Sequence, residues 1–392
     1  MDNKLKNTPL FIPKITYKEI FNLNTDISAV LLEAHHSKWR PSLVPTIKEK
    51  NVLFFLDPVT NMVMYKNSRD KINYKKLPYS VELDFEKFYA DSQYRNNDFL
   101  IPCLDFQKEN NPDYIIAPYL FSDNPWDSLF SINLTMIAES KKYLEDKNIK
   151  KPLLAMITIN PHILEKTIAI NYIIDRYTDS SLDYLNGYFI LTDCLDCMKS
   201  DYSQLFGLAN LVYQLSNRKN VFYKQIGGFG EILCAIGLTG FVSGLNTSET
   251  FSSKNLERDI EHFKKHNRVY IPELFTFINI EDAKKINYKC NCSVCNGIFD
   301  TSSYFQNNHY LNCKITSTNN LSKLNKTEKI NYMIIKLEEA KEFAEYYRKK
   351  VMNFNPTYLS NWKQILLYSK NWSFTKQDSI DLENLLKDLE SK

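Results

Sequence analysis

The sequence has no long apolar run, no strong excess of charge and no dinucleotide-binding glycine motif. No apolar run approaches the roughly 18 residues of a membrane-spanning helix, and the N-terminal residues do not resemble a signal peptide. Lys and Arg total 49 against 46 for Asp and Glu, which excludes a strong overall signature of polyanion binding. No Gly-x-Gly-x-x-Gly follows the first predicted strand, which disfavours a Rossmann domain. We therefore expect a cytoplasmic protein with no membrane partner.

The cysteines are few outside one short segment. Three of the eight, Cys290, Cys292 and Cys295, fall in a Cys-x-Cys-x-x-Cys spacing. In a reducing compartment such a cluster usually binds a metal, and thiolates favour Zn²⁺ among the common metals. A strained disulfide or three free thiols are the alternative interpretations. A tetrahedral site needs a fourth ligand, for which His309 is the first choice and Cys313 the second.

Short apolar runs alternate with helical segments over most of the chain. The predicted strands lie at 27–33, 51–57, 113–118, 153–160, 187–193, 221–226, 241–245 and 268–271, and a run at 10–12 is expected in an edge strand or hairpin. This βα alternation favours an α/β fold of the (β/α)8 TIM-barrel type over an open doubly wound sheet. We predict a barrel domain over 1–285, a zinc-binding segment with a helix over 286–352, and a helical tail over 353–392.

Polar residues and glycines follow several predicted strands, at the end of a barrel where active sites form. They are Asp57, Tyr119, Asn160, Asp193, Gly227 and Gly228. Asp57 and Asp193 are carboxylates on different strands, which can divide the roles of nucleophile and general acid/base. We predict these two as catalytic and the other four as substrate-binding. Alternatively, each acid caps a helix or turn, and Gly227-Gly228 is only a tight turn.

Four stretches resemble the tRNA-guanine transglycosylase family. The run LDPVTNMVM at 56–64 resembles the family's T-D-S-G-G-F-Q-V-M run with Asp57 at its Asp, and the run NGY at 186–188 resembles its D-G-Y. The run QIGGFGEILCAIGLTGF at 225–241 has the rhythm of its G-x-G-x-P-x-x-L-L-x-A-V-x-x-G-x-D-x-F run, and the cysteine cluster is the fourth. The resemblance implies a TIM barrel with a zinc site near its C-terminal end. It also implies exchange of guanine in a nucleic acid for a 7-deazaguanine base.

The chain departs from that family at two positions. The family's nucleophilic Asp falls at Val242 or Ser243, and its His ligand falls near Lys329. By resemblance we expect a divergent enzyme similar to the DNA-modifying branch, with tRNA as the second choice of polymer, in which Asp193 or Asp57 attacks C1′ of the nucleoside. The alternative is a catalytically inactive subunit that binds nucleic acid or a catalytic partner. A third interpretation is an unrelated zinc-stabilised barrel enzyme for a small molecule. The family also implies a homodimer.

Overall fold

The computed structural model describes residues 8–18, 21, 26–245, 249–257, 267–351 and 354–372. The strands are β1 Leu10–Ile15, β2 Ala29–Glu33, β3 Leu53–Asp57, β4 Ile115–Ile116, β5 Leu153–Ile159, β6 Gly187–Thr192, β7 Asn220–Lys224, β8 Gly240–Gly244, β9 Arg268–Ile271 and β10 Thr276–Asn279. The helices up to β8 are α1 Ala34–Trp39, α2 Leu43–Glu49, α3 Lys66–Arg69, α4 Phe85–Ala90, α5 Ser92–Arg95, α6 Ile101–Asn110, α7 Ser128–Asp146, α8 Thr167–Tyr177, α9 Tyr202–Ser216 and α10 Phe229–Ile236. After β8 come α11 Lys254–Glu257, α12 Ile280–Lys285, α13 Ser303–Ser322, α14 Lys326–Lys350 and α15 Thr357–Ser369.

The strands β1 to β8 form one parallel sheet in the order β3-β2-β1-β8-β7-β6-β5-β4. A parallel bridge between Phe55 of β3 and Tyr114, which directly precedes β4, joins the two ends of this sheet. The result is a nearly closed barrel of eight parallel strands with helices around it. The predicted (β/α)8 class is confirmed.

Two segments at the ends of the barrel region are strands as predicted, but their predicted places in the sheet are wrong. The run at 10–12 is neither an edge strand nor a hairpin, because β1 pairs in parallel with both β2 and β8. Both faces of β1 are apolar. Leu10 and Ile12 belong to the barrel interior, and Phe11 belongs to the core between the strands and the helices. The run at 268–271 forms β9, which pairs antiparallel with β10 in a separate two-stranded sheet.

Alternation along each strand decides which side chains fill the barrel. The interior strand positions are occupied by Leu10, Ile12, Ala29, Leu31, Leu53, Phe55, Leu154, Met156, Phe189, Leu191, Phe222 and Val242. Two residues after Ile12, Leu31, Phe55, Leu191 and Phe222, the next interior position is occupied by a charged residue. These charged residues are Lys14, Glu33, Asp57, Asp193 and Lys224. The interior therefore changes from apolar to charged at the C-terminal end of the strands, which we call the mouth.

The helices after the barrel pack against its outside. Asn325 and Glu328 form a capping box at the start of α14, which explains where that helix begins. Trp362 of α15 lies 5.4 Å from Phe229 of α10 between ring centroids, and its indole nitrogen donates to the Cys197 carbonyl at 3.2 Å. The predicted tail is helical over α15, and residues 373–392 lie outside the described part of the chain. Among the described residues, no helix is both long and apolar enough to cross a membrane.

Candidate active site and metal centre

Four charged side chains from four strands meet at the mouth. Lys224 of β7 contacts Asp57 Oδ2 at short range and its Nζ lies 3.1 Å from Glu33 Oε1, while Lys14 Nζ lies 3.6 Å from the same Glu33 oxygen. The side chains of Asp57 and Lys224 are 0% and 2% exposed. We call Lys14, Glu33, Asp57 and Lys224 the mouth cluster. Two cations face two anions in it, which is the arrangement that makes burial of charge tolerable.

Both oxygens of Asp57 are engaged. Oδ1 accepts a hydrogen bond from the Tyr119 hydroxyl at 2.9 Å and another from the Val59 backbone N–H at 2.8 Å, while Oδ2 contacts Lys224. Val59 adopts φ 47°, a left-handed conformation that a β-branched residue rarely takes, so the turn after β3 is strained. Thr60 Oγ1 donates to the Tyr119 carbonyl at 2.7 Å and accepts from the Tyr119 backbone N–H at 2.8 Å, so it holds the backbone of Tyr119. The structure thus brings two predicted site residues, Asp57 and Tyr119, into direct contact.

The partners in the mouth cluster determine its protonation. Burial lowers the pKa of Lys224, but Asp57 and Glu33 outweigh that effect and raise it. Burial raises the pKa of Glu33, but Lys14 and Lys224 outweigh that effect and hold the pKa well below its usual range. Next to them, burial lowers the pKa of His36 to about 4, and His36 Nε2 lies 3.8 Å from Glu33 Oε2. At neutral pH Glu33 and Lys224 are therefore charged, and the imidazole of His36 beside them is neutral.

Lys14, Glu33 and Lys224 are site residues that the sequence analysis missed. Each stands two positions after an apolar residue of the barrel interior, and each lies at or near the C-terminal end of its strand. Continuing the period of two beyond each apolar run would have pointed to them.

Asp193 follows β6 and is held by the segment that follows β8. Its Oδ1 accepts from the Ser253 backbone N–H at 2.6 Å, and its Oδ2 accepts from the Ser253 hydroxyl at 2.5 Å. The Cys194 thiol donates to Oδ1 at 3.2 Å. Burial, and then the charge of Asp193, raise the pKa of Tyr65 to about 12, and Tyr65 also hydrogen-bonds to Ser253. Asp193 therefore lies in a polar group of its own, with a serine between it and a phenol.

Asn160 lies at the exposed rim of the mouth. Its side-chain amide donates to Asp123 Oδ1 at 3.2 Å, and its Oδ1 lies 2.7 Å from His162 Nδ1. These contacts hold an amide near the carboxyl end of β5, where it can pair with the edge of a purine. Its predicted substrate role stays a prediction.

Gly227 and Gly228 form a turn with no space for side chains. A Cβ on Gly227 would lie 2.9 Å from Glu249 Oε2, and a Cβ on Gly228 would lie 2.2 Å from the Phe275 carbonyl oxygen. Close backbone approach therefore explains Gly228, whereas Gly227 lies against the end of the Glu249 side chain. A carboxylate already lies next to Gly227, so an anionic substrate group at this turn would meet Glu249. The predicted binding role of the two glycines stays a prediction.

The Cys-x-Cys-x-x-Cys loop lies between α12 and α13 and faces two residues of α13. Ligand atoms of Cys290, Cys292, His309 and Cys313 all lie within 4.8 Å of one another. The Cys295 thiol also reaches this group, 3.1 Å from His309 Nδ1. The alternatives for the fourth ligand, His309 and Cys313, are thus both present, because a spacing of four places them on one face of α13. These five residues, the Cys/His cluster, can hold a metal ion.

The imidazole of His309 is oriented for metal binding. Its Nε2 lies 2.8 Å from the Tyr270 carbonyl oxygen, whereas its Nδ1 faces the thiols. A proton on Nε2, donated to that carbonyl, leaves the lone pair of Nδ1 free for an ion. Hydrogen bonds with Cys290 lower the pKa of Cys292 and raise that of Cys313. A thiolate, the form that binds metal, is therefore favoured within the cluster.

Helix α13 connects the Cys/His cluster to the barrel. The residues that follow the two ligand candidates, Tyr310 and Lys314, contact the barrel. Tyr310 donates to Ser243 Oγ of β8 at 2.9 Å, and Lys314 pairs with Glu231 of α10 at 2.6 Å with both side chains buried. Helix α13 thus contributes ligand candidates to the Cys/His cluster and also packs against the barrel.

No protein-family model matches the chain, and no curated protein matches it significantly.

Proposed function

We propose that this chain is a nucleic-acid guanine transglycosylase that exchanges guanine, in DNA by preference and in tRNA as the second choice, for a 7-deazaguanine base. The observation that carries the proposal is the combination of two features in one chain. A parallel barrel has carboxylates at the mouth ends of β3 and β6, and a Cys/His cluster follows that barrel in the chain. Each part is common by itself, and the resemblance of four sequence stretches connects them.

In the proposed reaction Asp193 is the nucleophile. One of its oxygens forms a bond to C1′ as the C1′–N9 bond breaks, and the electron pair leaves with guanine N9. The incoming 7-deazaguanine reverses both changes, so the carboxylate is regenerated. Asp193 suits this role better than Asp57, because Asp193 is 9% exposed and its partners Ser253 and Cys194 are uncharged, whereas Asp57 has no exposed surface and is paired with Lys224.

Asp57 and Lys224 take the proton-carrying role in this proposal. Lys224 Nζ gives a proton to N9 of the departing guanine and takes one back from N9–H of the incoming 7-deazaguanine, while Asp57 pairs with Nζ. The fixed ammonium also stabilises negative charge that develops on the departing base. The target nucleoside must leave its stack to reach the mouth. A Zn²⁺ ion in the Cys/His cluster would have a structural role, because four or more protein ligands leave it no open position.

A second candidate is a catalytically inactive subunit of the same type. It is favoured by β8, where the family's nucleophile position falls at Val242 or Ser243. Ser243 is fully buried and bonded to Tyr310, and β8 carries no acid from Gly240 to Gly244. In that case the chain binds nucleic acid or a catalytic partner and does not form the covalent intermediate.

The test is incorporation of radiolabelled guanine into duplex DNA and, separately, into total tRNA. We expect label in DNA with the wild-type chain, and none with Asp193→Asn. Asp196→Asn is the matched control, because Asp196 lies three residues away and pairs with Lys199 at the surface. Label in neither polymer would contradict the catalytic proposal. Retained binding of nucleic acid would then favour the inactive subunit, and no binding would favour a small-molecule enzyme.

A further inference from the structure

An arginine lies between two exposed aromatic rings beside the mouth. Arg40 Cζ is 3.6 Å from the centroid of the Tyr17 ring and 4.2 Å from that of Trp39, and the two rings are 6.3 Å apart at 67°. Tyr17 is 49% exposed and Trp39 is 45% exposed, although large aromatic side chains usually lie inside. We call Tyr17, Trp39 and Arg40 the aromatic–arginine patch.

This patch adjoins the proposed active site. Tyr17 stands two residues after β1 ends, and α1, which ends at Trp39, begins directly after β2. Both rings therefore belong to connections at the mouth end of the barrel. The Trp39 ring lies 6.0 Å from the His36 ring, and His36 Nε2 lies 3.8 Å from Glu33 of the mouth cluster. A short row of side chains thus leads from an exposed surface to the buried charges.

The three side chains offer two kinds of contact. A guanidinium that stacks on rings keeps its N–H donors at its edge, in the planar arrangement that matches a phosphate. The exposed ring surfaces offer the stacking that nucleobases use on proteins that bind single strands. Exposed Lys18 and Lys38 lie close to the patch in sequence and add positive charge.

We propose that the aromatic–arginine patch binds a nucleotide next to the target nucleotide, with Arg40 on its phosphate and Tyr17 or Trp39 stacked on its base. The proposal depends on the proposed function in taking a nucleic acid as the partner. It adds a site that holds the strand next to an everted nucleotide while the target base enters the mouth. A protein partner or a second copy of the chain would use the rings without needing the phosphate contact.

The test is fluorescence anisotropy of the full chain with a fluorescein-labelled single-stranded DNA oligonucleotide. We expect Trp39→Ala and Arg40→Ala each to weaken binding about tenfold, as loss of one stacked base or one phosphate contact does. Arg40→Ala should also reduce the slope of log affinity against log salt by about 0.7, and Trp39→Ala should not. A merely structural role would not separate these two readouts.

The controls are Arg268→Ala and Tyr346→Ala, which remove an exposed arginine on β9 and a tyrosine on α14 that is 46% exposed. Equal affinities for the patch variants and these controls would overturn the proposal, as would absence of binding to the oligonucleotide. Patch-dependent binding without guanine exchange would support the patch and contradict the catalytic proposal. Unchanged guanine exchange in the patch variants would support the catalytic proposal and contradict the patch.

Discussion

At the barrel mouth two lysines face two carboxylates, whereas in the Cys/His cluster four thiols and one imidazole face one another. Lys224 meets Asp57 and Glu33, so the mouth cluster contains its own counter-charges. In the Cys/His cluster, ligand atoms of four residues lie within 4.8 Å of one another, and a backbone carbonyl and a backbone amide contact the cluster at its edge. The first arrangement can exist in the protein alone, whereas the second can hold a metal ion, because its ligand atoms lie this close together. We therefore expect the two regions to respond oppositely to removal of metal and to removal of charge.

The largest expected effect is loss of the metal. Cys292→Ser should abolish metal content and lower the free energy of unfolding by at least about 5 kcal/mol, because structural zinc sites contribute roughly 10–16 kcal/mol of apparent binding energy. Elemental analysis and chemical denaturation measure the two quantities on one preparation. Cys194→Ser is the control, since that exposed thiol lies outside the Cys/His cluster. Unchanged metal in Cys292→Ser would show that the cluster is not a metal site.

The next effect concerns the mouth cluster. Lys224→Met should cost about 3–5 kcal/mol of unfolding free energy with no change in metal content, because it leaves Asp57 and Glu33 buried without their main partner. Lys363→Met removes a lysine from a surface pair with Glu338 and should cost less than about 1 kcal/mol. Urea denaturation of both variants checks the difference. Similar losses in the two would mean that the mouth is hydrated and its charges need no partners.

A smaller effect should depend on pH. The pKa of His36 is lowered to about 4, chiefly by burial, whereas an unfolded histidine has a pKa of about 6.5. Between these values the unfolded chain binds a proton that the folded chain does not, so stability falls as the pH falls from about 6.5 to about 4. At about 1.4 kcal/mol per pH unit over this window, the contribution is at most about 3.5 kcal/mol.

His36→Gln should remove that part of the slope, as measured by denaturation at several pH values. If wild type and variant lose stability in parallel from pH 7 to pH 4, His36 is protonated in the folded protein. That result would mean that water reaches this side of the mouth.

The sequence predicted Asp57 and Asp193 at strand ends because an apolar run that stops at an acid marks where a buried strand meets the surface. It did not predict Lys14, since the run before it was interpreted as an edge strand or hairpin, where a lysine is ordinary. The period of two points to Lys224 itself, but its pairing with Asp57 could not be predicted in this way. Its partner Asp57 is on β3, and only closure of the barrel brings β7 and β3 face to face. Pairing across a barrel depends on strand tilt and side-chain length, which no local pattern contains.

The metal ligands were more predictable, because loop spacing and helical spacing are local. A tetrahedral ion takes four of the five donors, so one of them is not a ligand. With Zn–S of about 2.3 Å and Zn–N of about 2.0 Å, neighbouring S and N ligands lie roughly 3.5 Å apart. Cys292 and Cys313 are each 3.6 Å from His309 Nδ1, whereas Cys295 is 3.1 Å from it. This favours Cys290, Cys292, His309 and Cys313 as the ligand set over the predicted set with Cys295.

The smallest effect in this series therefore belongs to Cys295. We expect Cys313→Ser to lose the metal, and Cys295→Ser to keep one ion per chain with an affinity weakened by about tenfold, as for a residue that orients a ligand. Metal competition with a chromophoric chelator measures both. The reverse ranking would restore the Cys-x-Cys-x-x-Cys ligand set that the resemblance implies, and Cys313 would then be a thiol packed beside the ion. Either ranking leaves the contrast with the mouth intact, because substitution of a thiol changes metal content and substitution of Lys224 does not.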